Sequence, residues 1–376
     1  MKVSQNIRQP LWKRAAQKLI PFAKPRERQW TVLYYGAGNN NLSRDLYMEM
    51  GSLRNAGSSP EIQVVAQVAR ADQRGKVVRG EMAPVPLKWG AVKPEFVETE
   101  SFQADMGEAA TLGDFLKWGM KTYPAKHYLV ITAGHGNGHR GSLTDESTGS
   151  IITPREQREV FEQAPSAVDV LLKESCMGAS LEEAYEMKDT VGYYLASQDV
   201  TSGSVNLNGF LDQARGMARE GELEPREVVD AMFENRASKA TSFVGLDQAK
   251  LGPVAAAVSR LSDSAPPGSL REAAKDAPSV KPNIEALISD SEVQRIREEK
   301  RLQYRDALGF AQRVGEAGRE VEEALREAIV HQYSSPEYSE QQGLSWNLSP
   351  DPSLTAGAAY KELAFAKDSG WTGVVP

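Results

Sequence analysis

Cys176 is the only cysteine in this 376-residue chain, and it follows an apolar run, Val168-Asp-Val-Leu-Leu-Lys-Glu-Ser-Cys-Met-Gly. A second run, Tyr128-Leu-Val-Ile-Thr-Ala, ends on Gly134-His135-Gly136. A thiol and an imidazole, each delivered by the end of a buried strand and about one crossover unit apart, suit covalent catalysis. Cys176 would attack and His135 would move the proton. Met177-Gly-Ala-Ser and a helix from about Leu181 follow the cysteine. The sulfur is therefore expected near a helix N-terminus, which favours the thiolate. Gly136 has no side chain to keep its N–H from a substrate carbonyl, so the amides of Gly136 and Cys176 are candidate oxyanion donors. No third group stands at a fixed spacing, and the expectation is a dyad whose imidazole protonates the leaving amine. A lone cysteine is more often a small buried apolar residue; the joint placement at two strand ends carries the reading.

Those strand ends need a scaffold, and the chain supplies one. From Trp30 onward strand-like and helix-like segments alternate: Thr31-Val-Leu-Tyr-Tyr, a helix over 42–53, Ile62-Gln-Val-Val-Ala-Gln-Val-Ala, a hairpin around Gly75 and Gly80, a helix over 112–122, the Tyr128 strand, a helix opened by Thr153-Pro154, the Val168 strand, a helix over 181–188 and Val191-Gly-Tyr-Tyr-Leu-Ala. A strand over 241–246 and a helix over 248–259 complete the rhythm. This βαβ order predicts an α/β fold, a mostly parallel sheet with helices on both faces. Sites in such sheets gather beyond the carboxyl ends of the strands, where His135 and Cys176 both fall. The expected organisation is a basic amphipathic leader at 1–29, a catalytic core at 30–261, a linker at 262–282 rich in Ser, Pro and Gly, and a C-terminal helical region at 283–376 packing on the core, with a charged helical pattern over 292–331.

Composition excludes several classes. Charged residues at 25% and a formal charge of −7 do not make a nucleic-acid-binding surface. One cysteine excludes an intramolecular disulfide and a cysteine-cluster metal site, and no apolar stretch reaches the length of a membrane span. A cytoplasmic location is expected, with no signal peptide visible; a membrane-surface role for Leu11-Trp-Lys-Arg-Ala-Ala-Gln-Lys-Leu-Ile is the less favoured reading of the leader. His135 and His139 have the four-residue spacing of a zinc motif, but two glycines between them break a helix and no glutamate takes the general-base position. Gly36-Ala-Gly-Asn-Asn-Asn lacks the third glycine of a dinucleotide fingerprint. No metal and no cofactor is required by this reading.

Several ordered landmarks carry a resemblance: Trp30-Thr-Val-Leu-Tyr-Tyr-Gly-Ala-Gly-Asn-Asn-Asn-Leu, Ala133-Gly-His-Gly, Leu143-Thr-Asp-Glu-Ser-Thr-Gly, Glu174-Ser-Cys-Met-Gly-Ala-Ser-Leu-Glu-Glu-Ala-Tyr-Glu, Leu195-Ala-Ser-Gln-Asp and Gly343-Leu-Ser-Trp-Asn-Leu-Ser-Pro. Together they resemble the clostripain family of cysteine peptidases, from about Trp30 nearly to the end of the chain. The His-Gly pair with a strand-terminal cysteine is also similar to caspases, legumains and gingipains. The resemblance implies a caspase-like three-layer sandwich, a His135 and Cys176 dyad, and an endopeptidase cleaving after Arg or Lys in a protein or peptide, acting as a monomer. Family members carry an acid two positions before the cysteine, here Glu174, facing a pocket for a basic side chain. On a strand, positions i and i+2 share a face, and a carboxylate there would pair the substrate cation. Asp199 is the second candidate wall.

The chain also departs from the family's pattern. Glu174 stands where aspartate is usual, which shrinks the pocket and tilts preference from Arg toward Lys or a smaller residue. Asn40 stands where aspartate is common, and no tryptophan follows His135. The resemblance further implies self-processing between the two strands, where Arg140, Arg155, Arg158 and Lys173 are the basic residues; Arg140, in a Gly-rich turn, is the expected cleavage site. Some relatives respond to calcium, and Asp145 with Glu146 keeps that open. The alternative is a catalytically silent caspase-like module serving as a binding scaffold.

Overall fold

The computed structural model describes residues 27–73, 75–84, 95–201, 203–266, 268–280, 304–349 and 358–372. The expected leader helix and residues 292–303 of the charged pattern lie outside this set. Within it the apolar runs form strands with both faces covered. β1 (Arg28–Gly36), β2 (Ile62–Ala69), β5 (Ala125–Ala133), β8 (Val168–Glu174) and β9 (Val191–Ala196) pair in parallel, in the spatial order β9-β8-β5-β1-β2. Side chains alternate between two cores, as a period of two requires. Leu33, Tyr35, Val130 and Leu171 enter one core, and Val32, Tyr34, Leu129, Ile131 and Val170 the other.

Helices cover both faces. α1 (Ser43–Ala56), α5 (Leu207–Glu220) and α6 (Pro225–Glu234) contribute Leu46, Leu53, Phe210, Leu211, Val228 and Met232 to the second core. On the other face lie α2 (Ala109–Thr122), α3 (Pro154–Glu162), α4 (Leu181–Glu186), α7 (Gly252–Ser264), α8 (Ser269–Asp276), α9 (Ala307–Val314) and α10 (Arg319–Ala328). The expected α/β sandwich with helices on both faces is therefore the architecture.

The edges differ from the sequence reading. β3 (Lys76–Met82) and β4 (Phe96–Gln103) extend one side antiparallel, and Gly80 lies inside β3 at a register shift, not in a turn. On the other side β10 (Ser242–Asp247) pairs antiparallel with β9 and with β12 (Ile329–Ser334). The region expected to be helical thus places a strand in the main sheet, which has nine strands among the described residues; β6 (Ser142–Asp145) with β7 (Ser150–Ile152), and β11 (Tyr304–Asp306) with β13 (Ser345–Asn347), form two small antiparallel pairs beside it. The expected linker at 262–282 contains α8, which buries Leu270, Ala273 and Ala274. The α5 and α6 helices were not anticipated, although Asn206 caps the first and Pro225 opens the second.

A buried ion pair ties β8 to its surroundings. Lys173 on β8 has no exposed surface, and its Nζ donates to Glu183 of α4, to Gln157 Oε1 of α3 at 2.8 Å and to Ser142 Oγ at 2.9 Å. Removing one partner of a buried pair leaves the other charge uncompensated. Lys173→Met is expected to lower unfolding free energy by about 3–5 kcal/mol in urea denaturation, and adding Glu183→Gln to recover most of that loss.

Candidate active site

Register brings the two loops together. In the β5–β8 pairing Ala133 stands opposite Glu174, and the Gly134 N–H donates to the Glu174 carbonyl at 3.2 Å. His135 and Cys176 each follow two residues later, on adjoining turns. Gly136 packs on the cysteine's own backbone, where a Cβ would collide with the Cys176 carbonyl and Ser175. Gly136 and Ser142 form a bridge whose hydrogen bonds run from Asn137 N to Gly141 O at 2.9 Å and from Leu143 N to His135 O at 2.7 Å. The Gly136 N–H takes no part in that ladder.

The cysteine turn is fastened by Met177 N donating to Asp199 O at 3.1 Å and Ala179 N to Ser197 O at 2.9 Å, with Met177 at a φ of 57°. The Cys176 Sγ lies 3.9 Å from the Thr201 carbonyl oxygen. Burial pushes the thiol up to about 11, and the charge of Asp199 acts in the same direction. The expected helix-terminal activation is not what the structure provides. α4 begins at Leu181 behind its cap Ser180 and has only six residues, so the thiol of this conformation is neutral.

His135 has a partner the sequence reading missed. Its Nε2 lies 2.7 Å from Asn41 Oδ1, and Glu146 Oε1 stands 3.9 Å away. A carbonyl oxygen only accepts, so Nε2 carries the proton and Nδ1 is the basic nitrogen. The neighbouring asparagines staple the same loop. Asn40 Nδ2 donates to the carbonyls of Ala37 and Thr144, each at 2.9 Å, and Asn39 Nδ2 donates to Asp145 Oδ1 at 2.6 Å. Asp145 is buried and also accepts from Ser147 and from the Met106 amide. Both of its carboxylate oxygens thus accept from protein donors.

The two expected pocket acids are both buried. Glu174 accepts from the Ser204 N–H at 2.8 Å and the Val205 N–H at 3.3 Å, and burial raises its pKa. β8 ends at Glu174, so strand alternation does not extend to Cys176. Asp199 accepts from Val200 N at 2.6 Å and Gln341 Nε2 at 2.9 Å, which links the cysteine side of the site to the C-terminal region. A third acid was missed. Glu49 of α1 accepts from Tyr34 Oη at 2.6 Å, and its pKa is pushed up to about 8, by burial first and then by the charge of Glu174.

The basic residues between the strands differ in accessibility. Lys173 is fully buried, Arg158 pairs with Glu186 at 2.9 Å, and Arg155 lies on the exposed face of α3. Arg140 is half-buried in the short turn Gly138–Arg140. The preceding His139 is held by Tyr304 through both its N–H, at 3.1 Å, and its Nδ1. The turn is closed rather than exposed.

With this geometry in view, the chain can be compared with known proteins. A model of the clostripain family matches residues 34–348. The chain belongs to the clostripain family. Clostripain of Hathewaya histolytica is 23% identical over 211 residues, 48% of this chain and 40% of that protein, so the match spans less than half the length of the curated relative. Two solved structures share the fold. A secreted C11 cysteine protease from Bacteroides thetaiotaomicron, in complex with an irreversible peptide inhibitor, is 14% identical with a TM-score of 0.68 over 92% of this chain and 99% of that one. An inactive zymogen C11 protease from Parabacteroides distasonis is 15% identical with a TM-score of 0.69 over the same shares. The expected caspase-like sandwich is the fold of these family structures. Among the described residues no helix is long and apolar enough to cross a membrane.

His139 gives a signature of the closed turn. Burial first, and the charge of Arg140 second, hold its imidazole down to about 3, far below its ordinary value. A depressed histidine contributes stability above about pH 6.5 and loses it as pH falls toward the folded value. The stability advantage of wild type over His139→Gln is therefore expected to shrink by about 2 kcal/mol between pH 7.5 and pH 5, measured by denaturation at each pH.

Proposed function

We propose that this chain is a cysteine endopeptidase that uses Cys176 and His135 to cleave after a basic residue. The observation that carries this reading is the in-register ending of two adjoining strands on the His-Gly and cysteine turns, with Gly136 seated against the Cys176 backbone. In the proposed reaction His135 Nδ1 takes the thiol proton as substrate enters, and the sulfur attacks the scissile carbonyl. The N–H groups of Gly136 and Cys176 hold the oxyanion. His135 then protonates the leaving amine, and water releases the acyl group from the thioester. Asn41 keeps the imidazole in the tautomer this sequence needs. A thiol held near 11 ionises only when the proton transfer is coupled to substrate binding, so the resting enzyme is weakly nucleophilic.

The specificity reading rests on Glu174 and Glu49. The half-buried Glu49 feels the charge of the buried Glu174, Lys239 acts on both in the opposite direction, and a guanidinium or ammonium of the substrate would add a second countercharge. The extra methylene of Glu174 relative to aspartate shortens the pocket and favours Lys. Activation by cleavage after Arg140 requires the His139–Tyr304 contact to open first, because a peptidase acts on extended backbone. The relative described as an inactive zymogen fits such a latent form. A cytoplasmic location has no support from the family structures, one of which is described as secreted.

Fluorogenic peptides ending in Arg, Lys, Asp or Ala test the reading. Wild type is expected to cleave after Lys and Arg, and Cys176→Ala to be inactive while keeping its fold. Glu49→Gln should lower kcat/KM on basic peptides by about 10–100-fold, the loss of one charge-assisted contact, with little change on others. Activity that survives Cys176→Ala would refute the mechanism, and cleavage confined to non-basic peptides would refute the pocket.

A further inference from the structure

At the opposite end of the sheet, His127 sits near the start of β5 in an arrangement that the peptidase chemistry does not use. Its Nδ1 lies 2.9 Å from Asp169 Oδ1, and the second Asp169 oxygen accepts the Tyr128 N–H at 2.8 Å. The ring stacks on Trp30 with centroids 4.9 Å apart. Asp169 therefore fixes both the tautomer and the ring plane. Nδ1 faces the carboxylate, and Nε2 is the nitrogen turned away from it. That Nε2 is buried and has no hydrogen-bond partner. Glu222 and Glu224 bring carboxylate oxygens beside it, so that one donor atom from each of the three residues lies within 4.8 Å of the others.

We propose that His127, Glu222 and Glu224 bind a divalent transition ion of the zinc type. One imidazole nitrogen and two carboxylate oxygens form a borderline donor set, which suits zinc better than calcium or magnesium. A carboxylate behind a ligating imidazole is the usual outer support of such a site, raising the basicity of the nitrogen and aiming it. Donors bound at 2.0–2.2 Å in a tetrahedron stand about 3.5 Å apart, so the two exposed glutamates need only small rotations to close on the ion. The backbone between them is already fixed. Leu223 N donates to Gln29 Oε1 at 2.9 Å, and its carbonyl accepts from Trp30 Nε1 at 2.8 Å. Two interactions compete: Lys126 pairs with Glu222, and Glu224 caps α6. The first is a half-exposed pair of small worth, and a cap uses only part of a carboxylate. The fourth coordination position stays open to water. A bound ion would clip the turn between α5 and α6 to the entry edge of β1 and β5. Eight residues of strand, about 26 Å, separate it from His135, so the site is independent of the peptidase reading.

The full chain carrying Cys176→Ala, which removes the competing thiol, is stripped of metal and titrated with zinc chloride by calorimetry, and with cobalt chloride while the visible bands of a tetrahedral ion are followed. One ion per chain and a rise in melting temperature are expected. Asp169→Asn should weaken binding about 10–100-fold. His127→Phe, which keeps a ring against Trp30, should abolish it. The double variant Glu222→Gln with Glu224→Gln alters only exposed side chains and should also lose the ion without loss of fold. No uptake by the Cys176→Ala protein, or uptake unchanged in the glutamate double variant, overturns the proposal.

Discussion

The parallel pairing of β5 with β8 is the constraint on which the site depends. The side chains that would react stand on neither strand but on the turns just past them, and what sets their relation is the alignment of Ala133 with Glu174. A shift of one residue would send every side chain of one strand to the other face of the sheet. Both faces here are filled, so the alternating cores of Leu33 and Val32, Val130 and Leu129, Leu171 and Val170 hold the alignment by packing. The placement of the His135 and Cys176 turns is inherited from hydrophobic burial.

Around this frame, polar groups that would otherwise be costly are used as fasteners. Lys173 joins β8 to α3, α4 and the turn at Ser142, all of which flank the site. Glu174 gathers the amides of Ser204 and Val205, and Asp199 reaches Gln341. Buried charges weigh against stability unless fully paired, and their use here ties turns to strands. The same burial pushes the Cys176 thiol up to about 11, so the packing that places the sulfur also disfavours its thiolate.

Much of this was legible in the sequence where burial is complete. The five parallel strands read as continuous apolar runs, and His135 and Cys176 were visible because each ends such a run. Asn41 was not, since a triple asparagine has the composition of any turn and only tertiary structure shows which one meets His135. Glu49 lies on a helix remote in sequence from Glu174, with no local signal of their approach. The turn before Arg140 looked exposed because its glycines suggest a free loop, whereas Tyr304, from a distant segment, covers it. β12 follows α10 directly, from Ala328 to Ile329, with no glycine or proline to mark the change of period, so it read as more helix. β4 is polar on much of its surface, as an edge strand can be.

The edge position of β12 has a consequence for how the molecule comes into being. It is laid down late in the chain, as are Asn347 and Tyr360, whose amide and hydroxyl both reach Glu182 at the base of the cysteine turn. Contacts so distant in sequence form slowly, because the loop must close before they give anything back. On a ribosome the His-Gly and cysteine strands emerge long before the residues that buttress them. The order of synthesis itself thus delays completion of the site until these later segments are free to fold back onto it.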